Sequence, residues 1–283
     1  MKKNDLKMFF IYKHKVQKIV GVTNFYFVLC FDQMMPFDSG FKMHKKNGVT
    51  PLISSGDSTL DDLLGGKGFH KDLVYLLYGD KKKTTNILLT TAVISQKSRE
   101  HGGLGEGVKV AFIDANNRFN PYNVSKFAVS QNLSPRIVLE NILIARAFTW
   151  DQTIELLENR LSKLEHVKVV IVSGITTLFP SYEKKNFEEL LRAINGIKRI
   201  LSKTRPLIVI TAPLNEFSAF RPKGGKILSH FGNVLVSIID DERFVEYTLV
   251  QHPYLGEKRL LKWKPREPKR RNSMKNKTLD CWF

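Results

Sequence analysis

A short run of residues between positions 79 and 86 has the residue types that could bind a phosphate group. It reads GDKKKTTN and follows an apolar run, residues 73–78, of the length of a buried strand. In the phosphate-binding pattern G-x-x-x-x-G-K-[ST], glycines let backbone N–H groups surround the phosphates, the lysine reaches the terminal oxygens and the hydroxyl holds Mg²⁺. Gly79 can supply the first glycine, and Lys83 with Thr84 the Lys-Thr pair, but only if one residue of the pattern is deleted. We therefore assign Gly79, Lys83 and Thr84 as a degenerate nucleotide-binding set.

The middle of this run departs from the pattern. Lys82 would occupy the position of the second glycine, where a side chain is unfavourable if the backbone needs a positive φ. We therefore predict that the usual nest of N–H groups does not form, and we predict no bound cofactor. Three consecutive lysines can still attract an anion, so weak binding of ATP and Mg²⁺ stays open.

Apolar runs of strand length alternate with segments of helical period from Gly48 onward, which predicts an α/β fold with a mainly parallel sheet. Several runs are almost continuously aliphatic, as in strands buried on both faces. The last two runs are close in sequence and predict an antiparallel hairpin at one edge of the sheet. The predicted strands are residues 73–78, 108–114, 142–145, 167–172, 207–211, 234–239 and 244–250.

Two segments have apolar residues at helical spacing. The first follows Thr149, which with Gln152 predicts a capping box, and carries Ile154, Leu157, Leu161 and Leu164 on one face. The second covers residues 187–201. Its predicted core face consists of Phe187, Leu190, Leu191, Ile194, Ile197 and Leu201.

The charge of the chain is concentrated near its ends. The 283 residues include 45 Lys and Arg against 27 Asp and Glu, a net charge of +18, and 42% apolar residues, enough for an ordinary core. Residues 1–47 carry nine Lys against three Asp, and residues 258–283 carry ten Lys and Arg against two acids. This distribution indicates a polyanionic partner, with a merely solubilising role as the alternative. Cys30, Cys281 and the histidines show no metal-ligand spacing, so we predict no metal site.

The sequence predicts three regions. Residues 1–47 form an extension that is either a disordered arm, a targeting segment, or an artefact if translation starts at Met35 or Met43. Its apolar stretch, residues 19–31, is too short to span a bilayer, which needs about 20 residues, and we expect a cytoplasmic protein with no membrane partner. Residues 48–264 form the core domain. Residues 265–283 form a basic, disordered tail.

Four ordered blocks carry a resemblance to a known family. Residues 53–79, 110–158, 167–183 and 222–233 resemble, in the same order and spacing, the ATPase core of the RecA/RadA recombinase family, especially archaeal RadA and its paralogues. The resemblance covers about residues 50–264 and implies a RecA-like P-loop NTPase core, with a twisted parallel sheet flanked by helices. The family's amino-terminal helix-hairpin-helix domain is not recognisable in residues 1–47, which implies a core-only paralogue.

The resemblance also identifies two positions where catalytic groups are missing. Ser173 stands where the family has the Walker B aspartate that orients Mg²⁺. Asn116 stands where the family has the glutamate that activates water, and an amide cannot take the proton. With the altered phosphate loop, these losses predict no ordinary ATPase activity and no catalytic residue.

Two shortened segments are similar to the DNA-binding loops of the family. Basic residues interleaved with aromatic ones near glycines suit a strand whose phosphates need neutralising and whose bases can stack; an ordinary solvated loop is the alternative. Contact would be directed at the DNA backbone and sensitive to salt. The candidate DNA-binding residues are Lys184, Lys185, Phe217, Phe220, Arg221, Lys223, Gly224, Gly225 and Lys226, with Lys269, Arg270 and Arg271 in the tail.

The sequence is compatible with three functions. The first is a non-catalytic accessory factor in homologous recombination and DNA repair that binds single-stranded or duplex DNA, or the RadA recombinase. The second is a DNA-stimulated ATPase that uses Lys83, Thr84 and a relocated acid, Asp80 or Asp114. The third is a pseudo-NTPase scaffold without a nucleic-acid role.

Overall fold

The predicted apolar runs are strands of one sheet. The computed structural model describes residues 52–66, 68–181, 183–216 and 218–265. The strands are β1 (Leu52–Ile53), β2 (Phe69–His70), β3 (Val74–Gly79), β4 (Lys109–Asp114), β5 (Ile142–Arg146), β6 (Val167–Ser173), β7 (Leu207–Ala212), β8 (Leu214–Asn215), β9 (Ser218–Pro222), β10 (Val234–Asp240), β11 (Phe244–Gln251) and β12 (Lys258–Trp263).

The main sheet has eight strands in the order β12-β11-β10-β3-β7-β6-β4-β5. All neighbours from β10 to β5 are parallel, whereas β11 pairs antiparallel with both β10 and β12. The α/β class, the parallel sheet and all seven predicted strands are therefore confirmed. Two antiparallel pairs, β1 with β2 and β8 with β9, lie outside this sheet.

The predicted edge of the sheet is wrong by one strand. The hairpin of β10 and β11 exists, but β12 pairs along β11 and forms the true edge. Five of the six residues of β12 are exposed. Its sequence, KRLLKW, therefore does not show the alternation of apolar and polar residues that would predict a half-buried strand. Its pairing, for example Phe244 opposite Trp263, is visible only in three dimensions.

Helices cover both faces of the sheet, because successive side chains of a strand point to opposite sides. In β3, Tyr75 and Leu77 belong to one buried cluster, and Val74 and Leu76 to the other. The helices are α1 (Ser58–Leu63), α2 (Lys81–Ile94), α3 (Pro121–Ser130), α4 (Pro135–Glu140), α5 (Trp150–Glu155), α6 (Lys184–Thr204) and α7 (Gly225–Phe231). Helices α1 to α4 contribute to the first cluster and α5 to α7 to the second.

The predicted helices exist with different ends. Thr149 caps α5 by accepting from the Gln152 N–H at 3.2 Å, and the Gln152 side chain accepts from the Phe148 N–H at 2.8 Å. After α5 the chain continues as a π turn and a short 3-10 turn to Lys163. In α6 the predicted core face is confirmed except at Leu191, which is 45% exposed. Among the described residues, no helix is both long and apolar enough to cross a membrane.

Candidate functional site

A single residue, Asp80, connects β3 to α2. The helix begins at Lys81, so the three lysines that follow β3 lie in its first turn. Asp80 is the N-cap residue, and its carboxylate accepts from the Lys83 N–H at 2.7 Å. The Thr84 hydroxyl donates to the Asp80 carbonyl at 2.7 Å. In this fully described stretch, a protein carboxylate therefore satisfies the backbone donor that would otherwise face a phosphate.

Gly79 is required by its contact with a neighbouring strand. Its φ is 120°, and a Cβ at this position would overlap the carbonyl oxygen of Ile238. That carbonyl also accepts from the Asp80 N–H at 2.7 Å. Close packing against β10 is therefore by itself a sufficient reason for the glycine.

Ser173 and Asn116, the two positions at which the resemblance predicts missing acids, are hydrogen-bonded to each other. Ser173 is fully buried at the end of β6 and donates to the Asn116 side-chain oxygen at 2.9 Å. Both groups are neutral, so this pair offers neither a metal-orienting carboxylate nor a base.

Asp114, one of the two alternative acids, has structural partners. It is fully buried at the end of β4, accepts from the Arg118 and Phe119 N–H groups at 3.1 and 2.9 Å, and lies 3.7 Å from the Arg146 Nε. Asp80, the other alternative, caps α2. The described residues contain no group of three or more His, Cys, Asp or Glu side chains that could hold a metal.

A small cavity lies where these strands end. It opens at the carboxyl ends of β3, β4, β6 and β7 and has a volume of about 60 Å³. Of the predicted nucleotide-binding residues, Gly79 and Thr84 line it, whereas Lys83 is not among the lining residues. Lys81, Arg118 and Thr211 also line it. Sequence patterns did not indicate the last two, because they come from separate strand ends that only the sheet brings together.

Lys184 and Lys185 lie in the first turn of α6 instead of in a loop. Both are exposed, and Lys184 forms an exposed ion pair with Glu188 at 3.8 Å. Such a pair is worth little in water, so it leaves the lysine available to a phosphate.

The second predicted DNA-binding segment contains an ordered hairpin. Strands β8 and β9 pair antiparallel, and Lys223 and Gly224 lead directly into α7, which starts at Gly225. Lys223 is partly buried: its ammonium lies 3.7 Å from Glu216, and its carbonyl accepts from the Thr176 hydroxyl at 2.8 Å.

Only part of the predicted DNA-binding set remains free at this hairpin. Arg221 and Lys226 are exposed, whereas the contacts of Lys223 indicate a structural role. Phe217, the side chain of Phe220, and Lys269, Arg270 and Arg271 lie outside the described residues. α6, which begins at Lys184, contacts α7, which follows the hairpin.

The fold and the strand-end site define a RecA-like α/β core. The sequence model of the Rad51 family matches residues 46–204, more than half of the chain. The chain therefore belongs to the Rad51 family.

Individual relatives agree with this assignment. The DNA repair and recombination protein RadA of Cenarchaeum symbiosum is 29% identical over 69% of this chain and 52% of its own length. The DNA repair protein RAD51 of Mycosarcoma maydis is 27% identical over 72% and 65%, and the RAD51 homolog 1 of Arabidopsis thaliana is 27% identical over 76% and 66%. The chain thus spans between about half and two thirds of the length of these curated relatives.

Proposed function

We propose that this chain is a non-catalytic member of the Rad51 family that supports DNA recombination and repair by binding DNA. The observation that carries the proposal is the one-residue connection capped by Asp80, in a chain whose relatives are named as repair and recombination proteins. The chain keeps the family core but offers no ordinary triphosphate site.

The electrostatics of the strand ends support the absence of catalysis. Phosphoryl transfer depends on positioned cations and donors that stabilise charge on the transferred group. Here the Asp80 carboxylate occupies the N-terminus of α2, and the Ser173 hydroxyl donates to the Asn116 side-chain oxygen. The alternative of an ATPase with a relocated acid is disfavoured, since both Asp80 and Asp114 have structural partners.

The distribution of exposed cations supports DNA as the partner. Lys184, Lys185, Arg221 and Lys226 are exposed, and the sequence after the last described residue adds Lys269, Arg270 and Arg271. Cations spread in this way neutralise phosphates without reading bases. A recombinase of the RadA type is a second candidate partner.

The proposal is tested by fluorescence polarisation of labelled single-stranded and duplex DNA across a salt series, with and without ATP and Mg²⁺. We expect binding that weakens steeply with salt and is indifferent to ATP, because each neutralised phosphate contributes about 0.7 to 0.9 to the log-log slope. The double variant Lys184→Ala/Lys185→Ala should lower the slope by up to about 2.

The matched control is Lys198→Ala/Lys203→Ala, which removes two exposed lysines from the other half of the same helix. DNA binding that tightens with ATP, or phosphate release that depends on Mg²⁺, would contradict the non-catalytic assignment. Failure to retain either DNA or a RadA recombinase at physiological salt would favour a scaffold without a nucleic-acid role.

A further inference from the structure

His252 organises the connection between β11 and β12, which consists of residues 252–257. Its Nδ1 atom accepts hydrogen bonds from the Tyr254 and Leu255 N–H groups, each at 3.1 Å. Pro253 has no N–H group, so these are the first two backbone donors after the histidine. One imidazole nitrogen therefore satisfies both of them and holds the chain in a turn.

These hydrogen bonds fix the protonation state of the ring. A nitrogen that accepts from N–H groups presents its lone pair, so the proton of the neutral imidazole is on Nε2. The His252 Nε2 atom is buried and has no hydrogen-bond partner among the described residues. A second proton has to bind at Nδ1, where it would face the two N–H groups. The turn is therefore compatible with a neutral His252 and not with an imidazolium.

The surroundings of the ring also disfavour a positive charge. Burial lowers the pKa of His252, and the charge of His70 on β2 lowers it further. In the part of the chain that the structure describes, no carboxylate offsets these two effects. The Tyr254 ring packs edge-on at 5.9 Å between centroids. Lys258, at the start of β12, donates to the Asp62 carbonyl at 3.4 Å.

The turn joins the edge of the main sheet to the segment between α1 and β2. The Leu255 side chain lies beside Gly65, where an added Cβ would come within 3.7 Å of the Leu255 Cδ1. The strand β12, which follows the turn, is the outer strand of the sheet and contacts α1. Opening of the turn therefore releases Leu255 from Gly65 and loosens the connection that leads into the edge strand.

We propose that His252 is a pH-sensitive latch, which holds residues 252–257 closed when it is neutral and releases them when it is protonated. The closed and open forms differ by one proton at acidic pH. Opening therefore becomes tenfold more favourable for each pH unit below about 6.5, the ordinary pKa of histidine, until the lower pKa of the closed form is reached. The latch does not depend on the DNA-binding function proposed above.

Nuclear magnetic resonance of the full chain tests the latch without any ligand. Correlation of the ring nitrogens with the ring protons should show an unprotonated Nδ1 at neutral pH. Amide exchange, corrected for the intrinsic exchange rate, should show protected Tyr254 and Leu255 N–H groups. Their protection factors should be constant well above about pH 6.5 and fall tenfold per unit below it.

Two variants separate titration from hydrogen bonding. His252→Asn keeps a side-chain acceptor of the kind that binds the next backbone N–H groups in turns, but it does not titrate. It should keep the protection and lose the pH dependence. His252→Ala removes the acceptor and should lower the protection about tenfold or more at neutral pH. The control is His166→Asn, at an exposed position with φ of 60°, which asparagine tolerates.

The control should retain both the protection of the two amides and its dependence on pH. A proton on Nδ1 at neutral pH, or Tyr254 and Leu255 amides without protection there, would overturn the proposal. Protection that does not change with pH in the parent would do the same. An equal pH dependence in His252→Asn would assign the effect to another group and reject His252 as the latch.

Discussion

At the scale of single residues, Asp80 decides the character of the strand-end site. An aspartate at an N-cap accepts from the first free N–H groups of the helix and places its charge favourably against the helix dipole. In a phosphate loop, the free N–H groups at this end of the helix would donate to the phosphates of the nucleotide instead. The carboxylate thus fills, within the protein, the place that an anionic ligand would otherwise take.

Asp80→Ala should therefore destabilise the protein by about 1 kcal/mol, because the Lys83 N–H loses its acceptor. Lys83→Ala should change the free energy of unfolding by less than about 0.5 kcal/mol, since only its backbone is used. Urea denaturation measures both. Equal stability of Asp80→Ala and the parent would show that the cap contributes nothing.

Asp57 is a second decisive residue, and sequence analysis did not identify it. It caps α1, accepts from the Tyr247 hydroxyl at 2.8 Å and lies 3.2 Å from the Lys262 ammonium. Burial by itself raises the pKa of Asp57, but the hydrogen bond from Tyr247 and the charge of Lys262 together hold it below its usual value. Burial and the neighbouring Asp57 charge raise the pKa of Tyr247, so its hydroxyl stays protonated and donates.

A carboxylate with a lowered pKa stabilises the folded state above its unfolded pKa, and this stability is lost as the pH falls toward the folded pKa. Asp57→Asn should therefore cost about 1 kcal/mol at pH 7, and the difference from the parent should shrink as the pH falls below about 4. Denaturant unfolding at several pH values tests this. Asp72→Asn, at an exposed position, is the control, and a pH-independent loss in Asp57→Asn would contradict the role of its charge.

At the scale of elements, α6 shows how a helix separates adjacent apolar residues. Leu190 is fully buried against the sheet, whereas Leu191, one position and about 100° further round the helix, is 45% exposed. The apolar pattern of the sequence included both residues, but only the Leu190 side chain points toward the interior. Because both residues are leucines, substituting each in turn measures the effect of burial alone.

Leu190→Ala should lower the free energy of unfolding by about 2–5 kcal/mol, because it removes a buried side chain and leaves a cavity. Leu191→Ala should cost no more than about 1 kcal/mol, since alanine favours the helix and little apolar area is lost. Thermal and urea unfolding of the two variants give the comparison. Similar losses would mean that Leu191 is covered in solution.

At the scale of the whole molecule, charge is divided between a nearly balanced core and basic ends. Residues 48–257 carry +4 of the total charge of +18. Electrostatic affinity for a polyanion should therefore depend strongly on the ends, although the core supplies the shaped surface around α6 and α7. The contributions of the ends and of the core to DNA binding can be measured separately, because the salt dependence of the affinity reports how many phosphates are neutralised.

Replacing Lys269, Arg270 and Arg271 with alanine in the full chain should reduce the log-log salt slope of DNA binding by up to about 3. Melting of the core should be unchanged, since the substitutions lie beyond β12, the last strand among the described residues. Replacing Lys275 and Lys277 instead is a control for tail charge in general. An unchanged slope in the triple variant would confine DNA contact to other residues.

The local pattern of the sequence determined the order and type of the main elements. Buried runs such as residues 167–172 and 207–211 are continuously apolar because both faces of a parallel strand are covered, and this signal needs no tertiary information. That Ser173 and Asn116 stand where the resemblance predicts acids is likewise an expectation that needs only the sequence.

Only the tertiary structure decided which contacts the residues of the site make. Asp80 reads as part of a phosphate loop until α2 is seen to start at Lys81, and the need for Gly79 comes from Ile238, a residue remote in sequence. The strand β12 and the cavity formed with Arg118 and Thr211 depend on pairing between segments far apart in the chain. Local sequence records propensity and pattern, whereas contacts between distant segments are set by how the sheet packs, which is why the fold was predictable and only part of the site was.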